Sequence, residues 1–344
     1  MRLPLIVTIS MLTINVTEVA AQDFLKGLAA AEAGDVLTAI DEWEPLANDG
    51  DVEAQYSLGN LYRYTGVLDD INENERIAAI YYRLAAEQGN AAAQFELGFL
   101  HFYGAGVPQD YLEAGRLFSL AANQGNTESQ HFLASMYFQG LGLAEDHNEA
   151  VKWWRLAAEN GHKGSQVILG SMYYSGDYIP QNFSEAAMWF RLAAQQGDAE
   201  AQLRLGYMYF FGDGVVQDFE ESVHFYRLSA EQGNLEAQLR LGIAYKVGLG
   251  ISKDISESVK WLRLASQRGN VEAQFVLGIL YKDGDGLLKD YVMAHMWLNI
   301  AAAGGHKEAA EYRDGCEAFM TPSDISRAQS MAAQCLRTHY ANCE

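Results

Sequence analysis

An all-α repeat protein, an α/α solenoid of stacked helix pairs, follows from three regularities in the 344-residue chain. A glycine returns every 36 residues at Gly89, Gly125, Gly161, Gly197, Gly233, Gly269 and Gly305, with Gly50 standing 39 residues ahead of the series. Side-chain columns keep the same register. One is aromatic (Trp43, Tyr81, Trp153, Trp189, Phe225, Trp261, Trp297), one is tyrosine (Tyr62, Tyr137, Tyr173, Tyr209, Tyr245, Tyr281), and one is small (Gly59, Gly98, Ala134, Gly170, Gly206, Gly242, Gly278). Finally, a short acceptor recurs at Asp110, Asp146, Asn182, Asp218, Asp254 and Asp290, where helix N-caps are expected. A fixed period of this length marks units that bury their apolar faces on their neighbours.

The N-terminus, MRLPLIVTISMLTINVTEVAAQDF, carries one early charge at Arg2, an apolar run from Leu3 to about Val16, and small residues after it. This is the pattern of a secretory signal peptide over residues 1–21. Val19 and Ala21 suit the −3 and −1 positions of a cleavage before Gln22. The run is shorter than the ~20 residues a bilayer span needs, so a soluble protein, periplasmic or secreted, is expected.

Each repeat reads as two helices. In DAEAQLRLGYMYFFGDGVVQDFEESVHFYRLSAEQG, Asp198 can cap the first, where Ala201, Leu205 and Tyr209 share a face. Asp218 can cap the second, where Val223, Tyr226 and Ala230 recur at helical spacing. The three extra residues of the first interval fall around DDINENER. The Gly-x-Gly pairs, at Gly104/Gly106, Gly140/Gly142, Gly212/Gly214, Gly248/Gly250 and Gly284/Gly286, follow each first helix and act as left-handed helix ends. A dinucleotide loop would follow a strand and occur once, and no strand-like alternation surrounds any copy.

The unit A-Q-x-x-L-G-x-x-Y-x-x-G-x-G-V-x-x-D-x-x-x-A-x-x-W-x-R-L-A resembles the Sel1-like repeat, a relative of the tetratricopeptide repeat. About seven copies run through residues 51–308, with Ala134 in a glycine column and Tyr178 in place of a second glycine as departures. The segment at 22–50 resembles the helix pair that opens many bacterial members, and MTPSDISRAQSMAAQC, within 309–344, resembles their closing helix. The resemblance implies a right-handed superhelix of antiparallel helix pairs, capped at both ends, that acts as a protein-interaction scaffold.

All three cysteines, Cys316, Cys335 and Cys343, lie in the C-terminal cap. They allow one disulfide. Cys335–Cys343 is preferred because Cys316 occupies an apolar helical position, with Cys316–Cys335 the alternative.

The formal charge of −21 disfavours nucleic acid and anionic membranes as partners, since no basic patch offsets it. Enzymatic, cofactor and metal sites are not expected. The eight histidines are scattered, and His101, His162 and His306 fall in columns held elsewhere by Tyr, Asn or Asp. Carboxylate pairs such as Glu220/Glu221 sit at helix starts, where acidic residues are ordinary.

Binding is better supported. If first helices line the concave side, as the resemblance implies, the groove positions are those equivalent to Leu203, Tyr207, Phe210 and Phe211. The central repeats fill this stripe with Phe95, Phe99, Phe102, Tyr103, His131, Phe138, Tyr174, Tyr207, Phe210 and Phe211. Polar Asn60, Arg63, Lys246, Lys282 and Asp283 stand toward the ends. An aromatic centre with a polar rim suits recognition of a peptide or protein. Two other readings stand beside it: a factor for envelope polysaccharide or peptidoglycan, with rings stacking on sugars, and a secreted effector acting on a host. Burial of the stripe between repeats is the opposing reading, because a helix apolar all round is often simply core.

Overall fold

A computed structural model describes residues 21–285, 288–340 and 343. The expected signal peptide lies outside the described residues except for Ala21, which with Gln22 opens the first helix. Gly286, the second glycine of the last Gly-x-Gly, also lies outside them. Among the described residues every regular element is a helix. They form two compact units that divide between Ser165 and Gln166.

The first unit holds α1 (residues 21–32), α2 (Val36–Asn48), α3 (Val52–Thr65), α4 (Ile71–Glu87), α5 (Ala91–Tyr103), α6 (Tyr111–Asn123), α7 (Thr127–Gln139) and α8 (His147–Glu159). The boundary falls within α9 (Lys163–Ser175). The second unit continues with α10 (Phe183–Gln195), α11 (Ala199–Phe211), α12 (Phe219–Glu231), α13 (Leu235–Val247), α14 (Ile255–Ser266), α15 (Val271–Asp283), α16 (Tyr291–Ala303), α17 (Ala309–Glu317) and α18 (Pro322–Arg337).

The capping columns explain where helices begin. Asp51, Asn90 and Asn126 accept from the backbone N–H three residues on at the starts of α3, α5 and α7, and Asp198, Asn234 and Asn270 do so for α11, α13 and α15. Asp110, Asp146, Asn182, Asp218, Asp254 and Asp290 cap the second helices in the same way. Each such cap contributes about 1 kcal/mol to the helix it opens. The three-residue insertion becomes helix. Asp70 takes over as N-cap, α4 runs 17 residues, and Asn74, in the usual cap column, bonds the backbone of Leu68 instead.

Gly248 and Gly250 show why the paired glycines are needed. Gly248 ends α13 at φ +74°, its N–H bonded to Ala244 O. Gly250, at φ +68°, lies against the start of α12, where a Cβ would fall 2.0 Å from Phe219 O. The first glycine stops the helix, and the second lets two backbones touch. Tyr178, which replaces a second glycine, keeps the left-handed conformation at φ +66°.

Between repeats runs a buried amide ladder. Gln55, Gln94, Gln130, Gln202, Gln238 and Gln274 each donate Nε2 to a carbonyl near the end of the preceding second helix, at Ala47, Ala86, Ala122, Ala194, Ala230 and Ser266. The Oε1 atoms of the first four accept in turn from a polar side chain at the end of the second helix of the same repeat. Gln88 serves Gln55, Gln124 serves Gln94, Asn160 serves Gln130, and Gln232 serves Gln202, at 2.7–3.2 Å. The next two members of that donor column are Arg268 and Gly304. Correspondingly, Gln238 Oε1 and Gln274 Oε1 are buried without a hydrogen-bond partner.

At the N-terminal end Trp43 stacks on Phe24 at 5.8 Å and donates Nε1 to Phe24 O, joining α1 to α2. At the C-terminal end α17 and α18 both pack on α16, and a Thr321/Asp324 capping box opens α18. The sulfurs of Cys335 and Cys343 are joined in the structure, with Cα atoms 4.6 Å apart. Cys316 is a buried thiol whose pKa is pushed up to about 11 by burial.

Candidate partner-binding surface

The ten side chains of the expected groove stripe separate by environment. Phe102, Phe138, Tyr174 and Phe210 share one repeat position, and each ring packs on the first residue of the next helix. The partners are Tyr111, His147, Phe183 and Phe219, with centroids 5.2, 4.8, 5.1 and 5.5 Å apart. Beside three of these pairs, Gln109, Gln181 and Gln217 reach back to the carbonyls of Phe102, Tyr174 and Phe210. These half-buried rings therefore staple the two helices of a repeat together. The partner column is itself periodic, but a stripe drawn on one helix leaves out its neighbour's N-terminus.

Phe95 and Phe99 belong to a cluster centred on Phe132, 5.8 and 5.7 Å from them, which the stripe also omitted. The position represented by Leu203 is not groove at all. Leu203 is 5% exposed and packs in the core with Val223 and Tyr226, because it points between helices rather than across them. Tyr103 and Phe211 are the members that face solvent, at 56% and 60% exposure.

His131 is a packing group. Its ring lies 4.3 Å from that of His162, and its Nδ1 is 2.9 Å from Ser165 Oγ. Burial, with the neighbouring His162, pulls its pKa down to about 4. His162 does the work that Asn or Asp does in most repeats. Its Nδ1 accepts from Ser165 N–H at 3.0 Å at the start of α9, leaving Nε2 to face Glu128 Oε2 at 3.3 Å. His306 similarly accepts from Glu308 N–H.

The second unit gathers three predicted rings into a cleft. Tyr207, Phe210 and Phe211 of α11, Phe219 and Tyr226 of α12, and Arg240 and Val247 of α13 line a space of about 260 Å³. Close helix approach shapes it, since a Cβ on Gly206 would fall 2.5 Å from the Tyr226 ring. Tyr226 stands edge-on to Tyr207 at 5.6 Å, and Phe210 edge-on to Phe211 at 4.9 Å. At one side Tyr207 donates its hydroxyl to Glu236 Oε1 at 2.6 Å while Arg240 Nε donates to that hydroxyl at 3.0 Å. Burial and the Glu236 bond push the Tyr207 pKa up to about 12, so the phenol is a neutral donor at physiological pH.

Larger troughs lie elsewhere. One of about 780 Å³ is lined by Arg191, Glu221, His224 and Phe225, and one of about 660 Å³ by Arg83, Glu113, Arg116 and Leu117. These residues are equivalents three periods apart, so the troughs are a product of the repeat geometry. Among the described residues no three His, Cys, Asp or Glu side chains are grouped to hold a metal ion, and no helix is long and apolar enough to cross a membrane.

The Sel1 repeat family model matches residues 52–90, 91–126, 127–162, 164–198, 199–234, 235–270 and 271–306. Among solved structures, the chain is similar to a protective antigen of uropathogenic Escherichia coli strains that displays an SLR fold. The identity is 26% over 94% of this chain and 93% of that one, with a TM-score of 0.62. It is also similar to a Sel1 repeat protein from Oxalobacter formigenes, at 33% identity over 67% of this chain and 92% of that one, with a TM-score of 0.56.

Proposed function

The chain belongs to the Sel1-repeat family, whose solenoids are generally non-catalytic protein-interaction scaffolds, and from that premise we propose that it is an adaptor or regulator that holds an extended peptide or protein segment against its first-helix face. The observation that carries this reading is the cleft between α11, α12 and α13, where exposed Phe211 and half-buried Tyr207 and Phe210 present apolar surface beside a polar rim. The proposed setting is the bacterial periplasm or the exterior. The signal-peptide pattern of residues 1–21 and a disulfide between Cys335 and Cys343 support it.

A photo-crosslinking amino acid at position 103 or 211 of the full chain tests the reading, because both side chains are exposed. Illumination of periplasm followed by mass spectrometry is expected to give a discrete protein partner. Crosslinks confined to polysaccharide or peptidoglycan would replace the adaptor with an envelope-glycan factor. Crosslinks to host proteins alone would favour a secreted effector.

A further inference from the structure

We infer that the cleft between α11, α12 and α13 is a slot for one aromatic side chain, a phenylalanine ring, presented by an extended partner segment; the inference rests on the scaffold reading above. The protein carries its own template for the occupant. Three periods upstream of Tyr207, Phe210, Phe211 and Tyr226 stand Phe99, Phe102, Tyr103 and Phe118, wall for wall. Between those upstream walls lies the ring of Phe132, its centroid 5.7, 5.9 and 5.2 Å from Phe99, Phe102 and Phe118. Below it Met136 is fully buried.

At the corresponding downstream positions stand Arg240 and Ala244. The Arg240 guanidinium lies over the Tyr207 ring, 5.3 Å from its centroid, and is held at the rim. Glu236 holds its guanidinium at 2.6 Å, the Tyr207 hydroxyl holds Nε at 3.0 Å, and the side chain remains 42% exposed at the rim. Ala244 is shorter than Met136, but Val223 in place of Gly115 returns the lost volume to the floor, so what stays open is the place that the Phe132 ring takes upstream. The remaining space of about 260 Å³ falls below the roughly 300–1,000 Å³ of pockets for drug-sized ligands, which suits a single side chain.

Among the described residues of this unit the slot has its full set of aromatic walls here, whereas the equivalent space one period upstream, about 460 Å³ beside Tyr174, Phe190 and Arg204, is wider. One period downstream, Val276 and Leu280 fill the same position with buried aliphatic groups. One period upstream, Ser171 and Ser175 stand where Tyr207 and Phe211 wall the cleft. The wall rings already pair edge to face, Tyr226 on Tyr207 and Phe210 on Phe211, and such walls offer a further ring the same kind of contact.

The test uses the full chain and the capped peptide Gly-Gly-Phe-Gly-Gly with 4-fluorophenylalanine at its centre, followed by fluorine NMR. A saturable shift is expected, competed by the unlabelled phenylalanine peptide about tenfold better than by its alanine counterpart. Arg240→Phe transplants the upstream plug and is expected to remove the saturable response while raising the melting temperature. Phe211→Ser, at an exposed wall, should weaken binding about tenfold with melting unchanged. No saturable shift in the wild type, or undiminished binding in the plugged variant and in Phe211→Ser, overturns the slot. Persistence of crosslinks from positions 103 and 211 in that case would leave the scaffold reading standing, whereas their loss would remove it too.

Discussion

Replacing Arg268 by glutamine should stabilise the protein at a place where its amide ladder stops. In the earlier repeats a Gln or Asn side chain after the second helix donates to the buried glutamine of the first helix of the same repeat, but at the sixth repeat Arg268 occupies that column and Gln238 Oε1 has no partner. A buried amide oxygen left unsatisfied costs about 1–3 kcal/mol, and a restored hydrogen bond returns a net ~0.5–1.5 kcal/mol. Arg268 itself donates to Gly233 O at 2.6 Å from an exposed position. A glutamine keeps that bond, because Gln88 reaches both the equivalent Gly50 O at 3.2 Å and Gln55 Oε1 at 2.8 Å. The expected gain is therefore about 1 kcal/mol. Repeat arrays do not unfold as one unit, so the assay is native-state hydrogen exchange at the α12 and α13 amides joined by Gln238. Protection there should rise about fivefold, with Arg268→Lys as the unimproved control. Equal protection in the glutamine and lysine variants would refute the idea that the ladder contributes to stability.

Gly250→Ala should cost about 3 kcal/mol or more of local stability, read by native-state hydrogen exchange in the adjoining helices, since its φ is positive and a Cβ would lie 2.0 Å from Phe219 O. Gly125→Ala, also at positive φ but with nothing within 4 Å, should cost only about 1 kcal/mol by the same measurement. Phe210→Ser should lower the melting temperature through loss of its packing on Phe219, a cost of about 2–3 kcal/mol, while Phe211→Ser should leave melting nearly unchanged. The His131 pKa is depressed on folding, so the folded state binds fewer protons than the unfolded chain and stability falls as pH drops from about 6.5 toward 4. Protonation would place a cation between His162 and Ser165, with Glu128 the nearby carboxylate, held by the other ring. His131→Phe, which recreates the Phe275–His306 stack seen at 3.9 Å in the last repeat, should move the acid-unfolding midpoint to lower pH.

Most of the architecture was legible because it repeats. A capping acceptor at Asp218 and a turn glycine at Gly248 act over a few residues, and the same local requirement recurs in nearly every copy. His162 could be read as a cap variant for the same reason: apart from His306 its column is otherwise Asn or Asp. The candidate binding surface was less legible. The stripe found Tyr207, Phe210 and Phe211 but missed Phe219, Tyr226 and Arg240, which reach the cleft from other helices. It also grouped Phe211 with Phe102, although one is exposed and the other is wedged against Tyr111.

Helix ends, the period and the apolar faces were present in the linear order of residues, since each depends on neighbours within one turn or one repeat. Whether a given ring is plug, staple or open wall depended on distances between helices, and the order of residues does not contain those distances. Phe132 fills its interface while Arg240, at the same repeat position, is held aside by Glu236 and Tyr207. Three side chains from two helices must meet before that difference exists, and folding brings them together.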